Sequence, residues 1–204
     1  MFRAVGNRCA VNLAELNLPV SVDLAVTILK NRGFKILNVN LIEIARSCIG
    51  KAEYKLGATQ EQAPHIFDCS SFTKWIYGHA GINLHRRTIQ QYEQSLSICT
   101  RNIRAGDLVF KSGQRHNWYR DDPKLNMGHI GIATGDRTII HAANHGRGVT
   151  ESPLEEFLNP KEFRGIGRII ADPQKTLTFE TPPHREIEAS DDFFWVIVQT
   201  LLKT

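Results

Sequence analysis

Three residues of this 204-residue chain have the types that nucleophilic catalysis needs: Cys69, His129 and His141. Cys69 directly follows Asp68 and stands where an apolar helical pattern begins. At a helix N-terminus the N–H groups lack partners and the dipole end is positive, so an anion is favoured. A thiol placed there is expected to have a lowered pKa and a larger thiolate fraction. Asp68 is the natural N-cap and opposes that effect slightly. The thiol also needs a proton acceptor. His129 follows Gly128 and opens the apolar run Ile130-Gly131-Ile132-Ala133, where a histidine has no packing reason to stand. Sixty residues separate it from Cys69, so only the fold can join them.

His141 lies twelve residues after His129, with Gly135-Asp136 between them as a turn signal. Side chains alternate across a strand, so the two histidines share a sheet face only if the hairpin loop has an odd number of residues. The simplest choice is the three-residue loop Gly135-Asp136-Arg137. His129, Gly131, Ala133, Ile139 and His141 then point the same way. Gly131 and Ala133 are small and are expected to let the Cys69 helix approach closely. A nucleophile, a base and a second histidine that orients the base would thus meet.

The elements that must position these groups are legible in outline. Val22, Ala25, Val26 and Leu29 recur at helical spacing, and Asn31-Arg32-Gly33 ends the pattern. Leu41, Ile44, Ala45 and Cys48 mark a second helix, with Gly50 near its end. A polar loop from Gly57 to Pro64 precedes the helix that starts at Asp68-Cys69. Phe72, Trp75, Ile76 and Ala80 trace one side of that helix, and Gly81 suits the position after its C-cap. Short strands follow: a turn into Leu108-Val109-Phe110, the hairpin around Gly135, and a closing strand within Arg164–Ala171. Helices first and antiparallel strands afterwards indicate an α+β domain. The expected division is a partly helical N-terminal extension over 1–39, a catalytic domain over 40–171, and a linker with an apolar C-terminal element over 172–204. Thr181-Pro182-Pro183 reads as part of that linker, and Phe193–Leu202 as a docked element.

Composition narrows the function classes. The chain is 42% hydrophobic and 23% charged, with a net charge of +4, which fits a soluble globular protein. Lys and Arg form no long run, so no nucleic-acid partner is expected. No stretch reaches the length of a membrane span. The four cysteines, Cys9, Cys48, Cys69 and Cys99, contain no CxxC pair, so neither a zinc ribbon nor a thioredoxin site is indicated. Cys69, His129 and His141 are zinc-ligand types, but no fourth ligand has motif spacing, so no metal and no cofactor is expected. The remaining histidines, including His79 and His145, are read as solvated or locally bonded. The N-terminus lacks an apolar run after its arginines, so no ordinary secretory signal is read. A cytoplasmic location or export by another route is expected.

Phe67-Asp68-Cys69-Ser70-Ser71-Phe72, with Tyr54-Lys55-Leu56-Gly57 upstream of it, resembles the Asp-Cys-Ser and Tyr-x-x-Gly segments of the NlpC/p60 family of cell-wall cysteine peptidases. Arg87-Thr88-Ile89-Gln90-Gln91 resembles the Arg-Thr/Ser-x-x-Gln segment. Gly106-Asp107-Leu108-Val109-Phe110, Gly128-His129-Ile130-Gly131-Ile132 and Ile140-His141-Ala142 resemble the three strand segments that follow. The resemblance spans about residues 41–170 and implies a circularly permuted papain-like fold. It implies Cys69 as nucleophile, His129 as base and then acid, and His141 as the residue that orients the imidazole. The backbone N–H of Cys69 would help stabilise the oxyanion. Tyr54, Asp68, Ser70 and Arg87 would line the substrate pocket. The substrate implied is a peptidoglycan stem peptide, cut at the γ-D-glutamyl bond to a diamino acid. Such peptides carry free carboxylates, for which Arg86 or Arg87 is a counter-ion.

Three positions depart from the family pattern: Ala58 and Ser71 replace usual glycines, and Arg86 replaces a usual proline. They concern pocket shape and leave open an amidase, deamidase or acyltransferase on another substrate, as in a secreted toxin or a phage lysis factor. A toxin would have an immunity or delivery protein as partner. A non-catalytic binding domain is the third reading, opposed by the intact Cys and both histidines. The loop Ser112–Met127, with His116, Trp118 and Tyr119, is expected to border the cleft.

Overall fold

A computed structural model describes residues 1–113 and 126–203. The expectations for His116, Trp118 and Tyr119 lie outside the described residues. In chain order the elements are β1 (Arg8–Asn12), α1 (Val22–Asn31), β2 (Lys35–Leu37), α2 (Leu41–Ser47), β3 (Glu53–Tyr54), β4 (Ile66–Phe67) and α3 (Cys69–His79). Next come α4 (Thr88–Glu93), β5 (Leu96–Ser97), β6 (Leu108–Lys111), β7 (His129–Ala133), β8 (Thr138–Asn144) and β9 (Gly148–Pro153). The chain ends with α5 (Leu154–Phe157), β10 (Phe163–Arg168), β11 (Thr176–Glu180) and α6 (Asp192–Leu201). None of the described helices is long and apolar enough to cross a membrane.

These elements form two compact units, one of residues 1–39, 77–83 and 172–204 and the other of 40–76 and 84–171. In the first, both ends of the chain share one antiparallel sheet in the order β1-β11-β2. Phe179 pairs with Cys9 on one side and Ile36 on the other. The segment before Thr181-Pro182-Pro183 is therefore a central strand. Ala25, Ile28 and Leu29 of α1 and Phe193, Val196 and Ile197 of α6 bury their faces against Cys9, Val11, Phe34 and Phe179. Phe193 lies 5.5 Å from Phe34 and 5.3 Å from Phe179, ring to ring. Each such ring contributes about 1.5–3 kcal/mol on burial. Ser21 caps α1 by accepting the Leu24 N–H at 3.3 Å, and Gly33 ends it at φ +90°, where an L side chain would be strained.

The second unit is built on a six-stranded antiparallel sheet, β5-β10-β6-β7-β8-β9. One of its buried clusters is Val109, Ala133, Ile139, Phe157 and Ile166. The hairpin has the expected loop. Ala133 pairs with Ile139, Thr134 N–H donates to Thr138 O at 3.0 Å, and Gly135, Asp136 and Arg137 remain between them. His129 and His141 consequently share one face. Gly131 is required by the sheet itself. A Cβ there would stand 2.2 Å from Ile139 Cγ2 and 3.1 Å from His141 Cβ. The small residue makes room for the neighbouring strand, including His141. Asp107, buried in the turn before β6, accepts Arg168 Nε and Nη2 at 2.7 Å each and Arg104 N–H at 2.8 Å. That ion pair ties β10 to the turn.

Candidate active site

Asp68 organises the entry to α3. Its Oδ1 accepts the Ser71 N–H at 2.7 Å, and the Ser71 hydroxyl oxygen accepts the Asp68 N–H at 2.9 Å. This reciprocal cap satisfies two backbone donors that the helix leaves orphaned. The same carboxylate accepts Gly57 N–H at 3.0 Å and a forked pair from Arg86, at 3.2 and 2.5 Å. Arg86 also donates to Ser70 Oγ at 2.9 Å and to Ala58 O at 2.7 Å. A buried carboxylate survives because its lone pairs are filled by charged and backbone donors.

Cys69 is the first residue of α3 and only 7% exposed. Its Sγ lies 3.9 Å from Thr88 Oγ1 and 3.9 Å from the carbonyl oxygen of Gly128. The helix start thus reaches the residue immediately before His129, closing the sixty-residue gap. The expected lowering of the thiol pKa does not hold: burial, with the Asp68 charge adding to it, pushes Cys69 up to about 11. Removing a thiolate from water costs more here than the helix N-terminus returns.

His129 Nε2 lies 2.8 Å from His141 Nδ1, with the rings nearly perpendicular at 80°. This leaves Nδ1 as the His129 nitrogen available to a thiol. His141 Nε2 lies 3.2 Å from Ser152 Oγ, which also accepts Arg147 Nη2 at 3.1 Å. Phe157 packs against both imidazoles, at 5.7 Å from His129 and 4.9 Å from His141. Burial, helped by the Lys111 charge and opposed by Glu162, brings His129 down to about 4. Burial and then the charges of His129, Arg147 and Lys111 bring His141 down to about 3. Both shifts favour uncharged imidazoles, and the raised Cys69 favours the protonated thiol.

Asp68 and Ser70 stand on either side of Cys69 in sequence and bond to one another, Ser70 Oγ donating to Asp68 Oδ1 at 3.3 Å. Tyr54, on β3, stacks edge-on with His145 at 5.4 Å. The Arg87 side chain is exposed, and its N–H donates to Gln90 Oε1 at 3.3 Å. The guanidinium that reaches the Asp68–Ser70 segment belongs to its neighbour Arg86. Sequence reasoning gave no role to Thr88, Gln91, Ser152, Arg147 or Phe157. Gln91 joins three segments, donating to Ser70 O at 2.9 Å and His85 O at 2.8 Å while accepting Thr73 Oγ1 at 2.6 Å. Thr88 and Gln91 lie in the Arg-Thr-x-x-Gln segment, which was their only signal. Ser152 and Phe157 had none, because their roles depend on pairing between β8 and β9 and on the turn into α5. Among the described residues, no group of three His, Cys, Asp or Glu side chains could hold a metal ion.

Comparison with known proteins places this chain in a family. The family model "NlpC/P60 family" matches residues 50–168. A probable endopeptidase of Corynebacterium glutamicum is 33% identical over 116 residues, covering 56% of this chain and 47% of its own length. Peptidoglycan DL-endopeptidase CwlO of Bacillus licheniformis is 31% identical over 144 residues, covering 66% of this chain and 29% of its own. This chain thus spans about half of the first relative and under a third of the second. The crystal structure of an NlpC/P60 family protein from Bacillus cereus superposes with a TM-score of 0.53 at 27% identity, over 63% of this chain and 39% of that one. With a family model covering more than half of its residues and an α+β unit that superposes on this solved structure, the chain belongs to the NlpC/P60 family and has its papain-like fold.

Proposed function

We propose that the protein is a cysteine peptidase that hydrolyses peptidoglycan stem peptides at the γ-D-glutamyl bond to a diamino acid, using Cys69, His129 and His141. One observation carries the reading. The sulfur at the head of α3 lies against Gly128 O, and the next residue, His129, has Nε2 engaged by His141. Burial that raises the thiol and lowers the imidazole favours a thiolate that forms as the carbon–sulfur bond does. The Cys69 proton moves to His129 Nδ1 while sulfur attacks the amide carbonyl. N–H groups at the start of α3 face the oxyanion that results. His129 gives that proton to the leaving amine, and the C–N bond breaks. Water then attacks the thioester, passing a proton to His129, which returns it to the sulfur as the carboxylate leaves. Relatives named endopeptidase and DL-endopeptidase support the substrate class. Incubation with defined muropeptides, followed by mass spectrometry, is expected to show cleavage that Cys69→Ala abolishes. Intact muropeptides with the thiol fully reduced would overturn the reading.

A second reading, hydrolysis or acyl transfer on a different amide, is favoured by one finding. The three positions that depart from the family pattern meet at Asp68: Ser71 caps with it, and Arg86 bridges it to Ala58 O. The surroundings of Asp68, one of the residues expected to line the pocket, thus differ from the family pattern at all three positions together. Profiling of thioester adducts on Cys69 in a mixed lysate separates the two, since this reading requires an adduct other than a stem peptide.

A further inference from the structure

The donors and acceptors beyond His141 carry an inference that rests on the Cys69–His129–His141 reading. Ser152 is 1% exposed and meets two side chains among the described residues, His141 Nε2 at 3.2 Å and Arg147 Nη2 at 3.1 Å. Arg147 can only donate, so it occupies one lone pair of Ser152 Oγ. When His129 takes the thiol proton, both of its ring nitrogens become donors. Its Nε2–H, 2.8 Å from His141 Nδ1, then requires that nitrogen to accept. Neutral His141 has a single accepting nitrogen, so its proton must sit on Nε2. The group that takes that proton's hydrogen bond is the second lone pair of Ser152. The protonated state of the site therefore has one donor–acceptor assignment, and Ser152 closes it.

We propose that Ser152, anchored by Arg147, is a positioning residue that holds His141 as its Nε2–H tautomer and thereby presents His129 Nδ1 to the thiol. A site already in that tautomer needs no second proton shift when the first one occurs, which is the advantage of preorganised dipoles. The other groups around the two rings do not substitute for it. Lys111, on β6 opposite His129, is a cation paired with Glu162 at 2.8 Å. Phe157 offers an apolar ring to both histidines. The Arg147 charge also disfavours a proton on His141 itself, keeping the transferred proton on His129.

The test compares wild-type protein with Ser152→Ala, which removes a hydroxyl without adding bulk. Long-range ¹H–¹⁵N spectra of ¹⁵N-histidine-labelled protein at pH 7 report which nitrogen of each imidazole carries the proton. The wild type is expected to show Nε2–H for both His129 and His141, and Ser152→Ala to lose that pattern at His141. On muropeptides the variant is expected to lose about tenfold in kcat, with KM unchanged, as for a lost hydrogen bond in a charged network. A wild-type kcat for Ser152→Ala overturns the proposal. So does a lowered kcat with unaltered imidazole spectra, because the loss would then be structural. If the wild type leaves muropeptides intact, the spectra decide alone: an unchanged Ser152→Ala pattern overturns the positioning role, and a changed one supports it while the substrate assignment falls. Cys69→Ala and His129→Ala that retain turnover would overturn the triad and this proposal with it.

Discussion

His129 and His141 stand on one face of adjacent strands with Nε2 and Nδ1 2.8 Å apart. The three-residue loop between Thr134 and Thr138 sets that parity, and Gly131 clears the space between them. One ring is thereby held by the other through Nε2, and Nδ1 is the nitrogen that the proposed mechanism assigns to the Cys69 thiol. This relationship motivates the first of four predictions.

Under the proposed roles the two histidines should not be equivalent. His129→Ala is expected to lower kcat by about 10⁴, the upper range for a general acid–base group. His141→Ala removes only orientation and should cost about 10–100-fold. Steady-state kinetics on muropeptides checks the order, and equal losses would contradict it.

Cys69→Ala is expected to lower kcat by about 10⁶, the scale of nucleophile removal. It should change the unfolding free energy by no more than about 1 kcal/mol, the loss of one small buried atom. Urea denaturation alongside the activity assay separates chemistry from folding. Unfolding of the variant would mean that the thiol serves packing instead.

The depressed histidines predict a pH response. His129 holds near 4 and His141 near 3, against about 6.5 in an unfolded chain. The unfolded chain therefore binds more protons between those values, and stability falls as pH drops from about 6.5 towards 4. The raised thiols act at the other end. Cys69 at about 11 and Cys9 at about 12 remain protonated while unfolded thiols ionise from about 8.5, so stability also falls above that pH. Thermal midpoints between pH 4 and 10 should peak at about 6.5–8.5. The acid limb of kcat/KM should lie near about 4 instead of about 6.5.

The Asp107–Arg168 pair is a structural prediction independent of the chemistry. Arg168→Met would leave the Asp107 carboxylate, 2% exposed, without its charged partner. The expected cost is about 3–5 kcal/mol, read as a shifted urea midpoint. A shift below about 1 kcal/mol would show that Asp107 is satisfied by Arg104 N–H and solvent.

Much of the second unit was legible because its signals are local. The Asp68 cap and the apolar side of α3 placed Cys69. The alternation around Gly135 placed His129 and His141 on one face, since strand parity depends only on counting residues. Local signals could not say what surrounds a side chain. The helix N-terminus at Cys69 predicted a lowered pKa, yet the thiol is raised because burial removes the water that would stabilise its anion. Arg86 and Arg87 are adjacent and alike in sequence, and only the extended approach to α4 turns Arg86 onto Asp68.

What the residues determine by themselves is therefore the order of short elements, the helix that begins at Cys69, and the face shared by the two histidines. Tertiary structure alone decided the pairing of Cys9 with Phe179 from opposite ends of the chain, the charge state of the site, and the reach of Ser152 to His141. Those are properties of surroundings: they follow from which remote segments exclude water and supply hydrogen bonds, which no window along the chain contains.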